Sequence, residues 1–132
     1  MRYPIDKLKD VIYYLTMITN KTHTFTGGDT MKKVTMYVGL NDKDTKKQEI
    51  ATLEAYKVAT NIFIKYVGGA TIYEGSGIYT HDDGTVVIEK TLVCILFTDN
   101  DEAVKQAASA LKIALNQEAI AIESTETNSI FF

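Results

Sequence analysis

Cysteine, proline, arginine and tryptophan are nearly absent from this chain of 132 residues, which has one cysteine, one proline, one arginine and no tryptophan. A single cysteine, Cys94, excludes an intrachain disulfide and a cluster of thiolate metal ligands. Because Cys94 lies within an apolar run, we expect it to be a small core residue. Arg2 is the only arginine, so a bound phosphate must be held by lysine, backbone amides or a helix N-terminus rather than by a guanidinium fork.

Two further absences narrow the class of partner. Fourteen basic against 17 acidic side chains give a net charge of -3, which lacks the basic footprint of a protein that binds long nucleic acids. No stretch approaches the roughly 18 apolar residues of a membrane span, and the N-terminus lacks the apolar core of a signal peptide. We therefore expect a cytoplasmic protein with no membrane partner and no long nucleic acid, and one compact domain.

The first thirty residues differ in pattern from the rest. Apolar residues at helical spacing predict an amphipathic helix that ends near Asn20, followed by a polar linker to Thr30. Gly27-Gly28-Asp29 can be encoded by a bacterial ribosome-binding sequence just before Met31, so Met1 and Met31 are both possible starts. We divide the chain into an N-terminal helix and linker, 1–30, and a single α+β domain, 31–132. The stripe of the predicted helix consists of Ile5, Leu8, Val11, Ile12, Leu15 and Ile18.

From Met31 onward the pattern is β-α-β-β-α-β, which predicts a ferredoxin-like α+β fold with an antiparallel sheet and both helices on one face. Alternating residues 33–40 predict the first strand, and Thr45 is expected to cap a helix that ends at Gly68-Gly69. Two β-rich runs, 70–80 and 85–97, flank a turn with Gly84 at its end. Asp99 or Asn100 is expected to cap the second helix, and residues 118–123 predict the last strand.

This arrangement leaves one face of the sheet without a cover. In so small a domain a partner subunit usually supplies it, so we expect a homo-oligomer, a dimer or larger. The apolar tail Ile130-Phe131-Phe132 is expected to be buried between chains.

No motif for catalysis or metal binding occurs. Neither His23 nor His81 has a second ligand at metal spacing, and there is no nucleophile elbow or phosphate-binding glycine loop. The sequence therefore predicts no catalytic residue, no metal and no cofactor. Gly75 and Gly77 lie within a strand, where glycines mark a β-bulge or a close backbone approach more often than a phosphate cradle, and a bulge is the favoured interpretation.

Several polar and aromatic residues could hold a ligand. Adjacent in a strand, Glu89 and Lys90 must face opposite sides of the sheet, and a charge in a covered layer needs an ion pair or a ligand. Strand tyrosines can pack at an interface or stack on a base. Asn116 and Gln117 could cap a helix or recognise a ligand. The predicted ligand-binding residues are Tyr37, Asn41, Tyr79, Lys90, Asn116 and Gln117.

Short motifs spread over residues 31–132 resemble those of one family. They are Tyr37-Val38-Gly39-Leu40-Asn41-Asp42, Gly75-x-Gly77-Ile78-Tyr79, Asp83-Gly84, Glu89-Lys90 and Asn116-Gln117-Glu118. With them the chain resembles the first type of Thoeris anti-defence protein, a phage sponge for the glyco-cyclic ADP-ribose signal of host TIR enzymes. The resemblance implies subunit assembly, pockets between subunits and, in some members, cyclic oligonucleotide ligands. It also implies arginine contacts that this chain lacks after Arg2, so lysine would have to bind the phosphates.

The expected function is thus to sequester a small cyclic nucleotide without degrading it, in the cytoplasm of an infected bacterial cell. The alternative is a small ferredoxin-like oligomeric enzyme acting on a small polar substrate, with Glu89 or Glu118 as a general base.

Overall fold

The computed structural model describes residues 31–131; the predicted helix and linker over residues 1–30 lie outside the described residues, as does Phe132. Four strands and two helices follow the predicted order. They are β1 (Met31–Gly39), α1 (Thr52–Tyr66), β2 (Thr71–Thr80), β3 (Val86–Thr98), α2 (Asp101–Ala114) and β4 (Ala121–Thr127).

The sheet confirms the predicted α+β, ferredoxin-like arrangement. Its strand order is β2-β3-β1-β4, and every neighbouring pair is antiparallel. β1 and β3 therefore form the centre, and the first and last strands of the described chain lie side by side. Any side chain near the end of β1 is thus brought close to both the β2–β3 hairpin and the start of β4.

One face of the sheet carries both helices and the hydrophobic core. Because strand side chains alternate, the even-numbered residues of β1 and β3 point to the helices. Val34, Met36, Leu92 and Leu96 are at most 1% exposed and pack with Ala59 and Leu111. Cys94 belongs to this core as predicted, and burial raises the pKa of its thiol to about 12. The odd-numbered residues face the open side.

The first helix begins later than the sequence suggested. Thr45 does not cap it; residues 41–50 form an irregular loop with Lys46 in the left-handed region (φ 63°), and α1 begins at Thr52 after Ala51. The loop satisfies its own polar groups: the Gln48 amide donates to the Ile50 carbonyl and the Thr52 hydroxyl. The capping signal was therefore outcompeted by local turn hydrogen bonds.

The other helix boundaries follow the expected residues. Gly68, at φ 99°, ends α1 and donates its N–H to the Phe63 carbonyl. Asn100 is the cap of α2, and its side chain accepts from the N–H of Ala103 at 3.0 Å. Asn116, at φ 48°, follows the end of this helix.

The glycines of β2 do not form a bulge. The pairing of β2 with β3 runs without an extra residue from Thr71↔Ile95 to Thr80↔Val86. The bulge interpretation was wrong, and the close approach is what the structure shows, as described below. Strand β4 also lies later than predicted, beginning at Ala121, because residues 117–120 turn from α2 into the sheet edge.

The open face of the sheet exposes aromatic rings. Tyr37, Tyr73 and Phe97 are between 38% and 52% exposed. The tail residue Phe131 packs edge-on against Phe97, with ring centroids 6.2 Å apart, so part of the expected interface between chains is filled from within the chain. Neither helix of residues 31–131 has the length and apolar character needed to cross a membrane.

Candidate functional site

A pocket of about 560 Å³ lies on the open face, at the end of β1 where the β2–β3 hairpin and the α2–β4 turn meet. This volume is in the range of small-molecule sites. Four groups of residues line it: the end of β1 and its loop (Tyr37, Gly39, Asn41, Asp42, Lys43, Lys46), the hairpin strand β2 and its turn (Gly75, Ser76, Gly77, Tyr79, His81), strand β3 (Val87, Glu89, Thr91, Val93), and the α2–β4 turn with the start of β4 (Gln117, Glu118, Ala119, Ala121).

Glu89 lies in a slot lined by two glycines, of which Gly39 leaves the space for its carboxylate. Gly77 is its direct partner across the β2–β3 ladder, and Gly39 lies diagonally opposite on β1. A Cβ added to Gly39 would stand 2.6 Å from the Glu89 carboxyl carbon and 2.8 Å from Oε2, and one added to Gly77 would stand 2.8 Å from the Thr91 hydroxyl. A side chain at Gly39 would fill the space that the carboxylate uses, whereas a Cβ at Gly77 would lie 3.7 Å from Glu89 Cγ, an ordinary contact distance.

The carboxylate in this slot is held by a backbone donor. The N–H of Asn41 donates to Glu89 Oε2 at 2.9 Å, and the glutamate is half-buried. Within residues 31–131, the lysines that form ion pairs do so with other acids, and none lies within ion-pair distance of Glu89. A half-buried carboxylate with no cationic partner in the described chain is suited to a cationic ligand.

Two tyrosines line the pocket together with this carboxylate. Tyr79 contacts His81 edge to face, with ring centroids 5.3 Å apart, and is 44% exposed. Desolvation, followed by the nearby charges of Glu89 and Glu118, raises the pKa of Tyr79. Tyr37 donates its hydroxyl to Glu123 at 2.6 Å, which raises the pKa of Tyr37. Both phenols are therefore neutral at physiological pH and offer flat, partly exposed rings.

The loop after β1 is tied to the α2–β4 turn. The Asn116 amide donates to Asp42 Oδ2 and Asp44 Oδ2, each at 2.9 Å. The hydrogen bond from Asn116 lowers the pKa of Asp42, and the hydrogen bonds that Asp42 accepts from the N–H groups of Thr45 and Asp44 lower it further. The aspartates are engaged within the loop, whereas the exposed Lys43 and Lys46 lie at the pocket rim.

The structure brings four of the predicted ligand-binding residues to one pocket: Tyr37, Asn41, Tyr79 and Gln117. Lys90 is on the opposite face of the sheet, 3.9 Å from Glu74, and does not line the pocket. Asn116 lies behind the loop and contacts the two aspartates rather than the pocket. Alternation along β3 thus puts Glu89, not Lys90, at the site.

The two slot glycines were not among the predicted site residues. The sequence indicated the wrong partner for Gly77. Counting outward from a turn at residues 81–84 pairs it with Ile88, whereas the observed connection, residues 81–85, pairs it with Glu89. The role of Gly39 depends on β1 pairing with β3, which the local sequence does not specify. Among the described residues no group of three or more potential ligands is arranged to hold a metal ion.

Several solved structures have a fold similar to that of this chain. No family model and no curated protein matches the chain. The chain is similar to a phage SAM lyase in complex with S-methyl-5'-thioadenosine, with TM-score 0.60 and 21% identity over 80% of this chain and 86% of the other. It is also similar to a phage SAM lyase in the apo state, with TM-score 0.56 and 20% identity over 83% and 90% of the two chains.

A third similar structure is a Bacillus cereus protein related to NIF3, with TM-score 0.55 and 12% identity. That match covers 90% of this chain and 32% of the other, so the described fold corresponds to about a third of the larger protein. At these identities the likeness shows a shared fold. The fold of this chain is therefore one that an enzyme, a SAM lyase, also uses.

Proposed function

We propose that this chain binds S-adenosylmethionine in the Glu89 pocket and cleaves it to S-methyl-5'-thioadenosine. The observation that carries the proposal is the Glu89 carboxylate, half-buried in its glycine slot with no lysine partner in the described chain. The similar phage protein is a SAM lyase, and one of its structures holds S-methyl-5'-thioadenosine; both facts support this choice of ligand. The proposal therefore follows the alternative given by the sequence analysis, a small enzyme, rather than sequestration.

Charge favours a sulfonium ligand. S-adenosylmethionine carries a positive sulfur and a positive ammonium group, and a carboxylate in a partly desolvated pocket attracts both. The pocket lining contains three carboxylates, Asp42, Glu89 and Glu118, against two lysines. This lining is less suited to the two negative charges of a pyrophosphate.

The remaining lining suits an adenosine. A purine needs a flat apolar surface, and the Tyr79 ring, close to the glycine-lined floor at Gly75 and Gly77, offers one. Stacking of a base on such a ring contributes roughly 1–3 kcal/mol. The glycines leave room for a ligand to approach the backbone of β2.

Cleavage by a lyase adds no water. Both electrons of the broken C–S bond stay on sulfur, and the cation becomes a neutral thioether. The carbon that loses sulfur closes onto the substrate's own carboxylate, or an alkene forms when a neighbouring carbon gives up its proton to a base such as Glu89. In both routes Glu89 first holds the cationic substrate, and loss of the positive charge weakens the attraction for the product.

A second candidate is the sequestration of a cyclic ADP-ribose signal without breakdown. Lys43 and Lys46 at the pocket rim support it, since exposed ammonium groups can meet the phosphates of such a ligand. Under this proposal the same tyrosines stack on the base, and the protein stabilises only the ground state of its ligand.

One experiment separates the two candidates. The protein is incubated in parallel with S-adenosylmethionine and with cyclic ADP-ribose isomers, then heat-denatured, and the supernatants are separated by chromatography. A lyase releases several equivalents of S-methyl-5'-thioadenosine per protein chain, above the spontaneous rate in buffer. A sponge depletes a cyclic ADP-ribose isomer from the free pool and returns it intact. Absence of both S-methyl-5'-thioadenosine release and cyclic ADP-ribose depletion would contradict both.

We also propose that a second copy of this chain covers the open sheet face. Tyr73, Tyr37 and Phe97 leave three partly exposed aromatic rings on this face, and exposed apolar side chains grouped on one face are typical of a surface that contacts another chain. Light scattering at micromolar concentration is expected to give a mass of at least twice 14.7 kDa. A monomeric mass would contradict the proposal.

A further inference from the structure

Gln117 has an unusual set of partners for a residue in a turn. It lies between α2 and β4, is 6% exposed, and donates its side-chain amide to the Asn41 carbonyl at 2.9 Å and to the Leu115 carbonyl at 3.1 Å. A buried glutamine amide of this kind holds the backbone carbonyl that it contacts in place. If that carbonyl moved away, the buried amide N–H would lose its hydrogen bond, which costs free energy.

The contact with Asn41 leads directly to Glu89. The carbonyl of Asn41 accepts from Gln117, while its N–H donates to Glu89 Oε2 at 2.9 Å. Asn41 lies just beyond the end of β1, and the pairing of β1 with β4 already stops at Tyr37↔Ala121. Strand β4 therefore makes no hydrogen bond to the main chain of Asn41, and the Gln117 side chain makes one instead.

We infer that Gln117 is a positioning residue, which acts through the main chain of Asn41 to hold the Glu89 carboxylate in its slot. The consequence for the ligand rests on the proposed function. The effect is local, since Lys43 donates its N–H to the Asn116 carbonyl at 3.0 Å and keeps the loop docked without Gln117. Removing the glutamine amide thus frees Asn41 and leaves the rest of the loop in place.

The first test needs no ligand. In Gln117→Leu, hydrogen exchange of the Asn41 amide is expected to accelerate at least tenfold, because its bond to Glu89 opens more often. The amide of Leu40, which donates to the Lys90 carbonyl at 3.0 Å just beyond the last pair of the β1–β3 ladder, is the internal control and stays protected. Equal acceleration at both amides would indicate general loosening, and unchanged exchange at Asn41 would overturn the inference.

The second test is a double-mutant cycle on the dissociation constant of S-adenosylmethionine. Gln117→Leu is expected to raise this constant about tenfold, or roughly 1.4 kcal/mol, in the wild-type background. In the Glu89→Gln background it is expected to have little further effect, because the two residues act as one unit. An equal effect in both backgrounds would mean that Gln117 acts independently of Glu89, for example by contacting the ligand itself, and would overturn the positioning role.

The outcome of each test is independent of the other. If the wild-type protein does not bind S-adenosylmethionine, the proposed function is wrong, while the exchange of the Asn41 amide still decides whether Gln117 positions Glu89. Should Gln117→Leu not fold, Gln117→Met repeats both measurements: it keeps the length of the side chain and adds no charge, but it has no N–H to donate to the Asn41 carbonyl.

Discussion

Glu89→Gln is expected to raise the dissociation constant of S-adenosylmethionine by about 10- to 100-fold, which corresponds to roughly 1.4–2.7 kcal/mol. The substitution keeps the shape of the side chain and removes its charge, so the loss measures the attraction between the carboxylate and a cationic ligand. Formation of S-methyl-5'-thioadenosine at low substrate concentration is expected to fall by at least the same factor. Isothermal titration and chromatography measure the two quantities.

The same variant distinguishes the two candidate functions by the sign of its effect. For a cyclic ADP-ribose isomer, loss of a negative charge from the pocket removes repulsion of the phosphates, so binding is expected to stay the same or tighten. Glu123→Gln is the control, because it makes the same charge change on the same sheet face at the carboxylate that accepts from Tyr37. Equal weakening by the two substitutions would show that only the overall charge of the face matters, and would contradict the role assigned to Glu89.

Gly39→Ala is expected to lower the rate of S-adenosylmethionine cleavage about 100-fold while leaving the free energy of unfolding nearly unchanged. The added Cβ would lie 2.6 Å from the Glu89 carboxyl carbon, so the carboxylate must move. A displacement of about 1 Å in a reacting or binding group costs on the order of 100-fold in rate. The glutamate is the end of a flexible side chain, which lets the fold accept the methyl group.

A matched glycine tests whether the loss comes from the slot. Gly69→Ala makes the same change where nothing lies within 4 Å of the added Cβ, outside the pocket, and is expected to retain full activity. Urea unfolding of both variants gives their stabilities. Full activity in Gly39→Ala would mean that the position of the Glu89 carboxylate does not matter for the reaction.

The sequence by itself determined the order of the elements and the direction of most strand side chains. Period-two alternation in β1 and β3 and the 3.6-residue stripes of α1 and α2 are local signals, and so are the Asn100 cap and the Gly84 turn. They predict the β-α-β-β-α-β order. Alternation also required Glu89 and Lys90 to point to opposite faces, although it did not say which face would be open.

Only the tertiary structure decided which residues form the site. Gly39, Asn41 and Gln117 come from the end of β1, its loop and the α2–β4 turn, and they approach Glu89 because β1 pairs with both β3 and β4. This pairing joins residues far apart in the chain, and its register comes from burying the even-numbered strand residues under two helices, which is a property of the whole core.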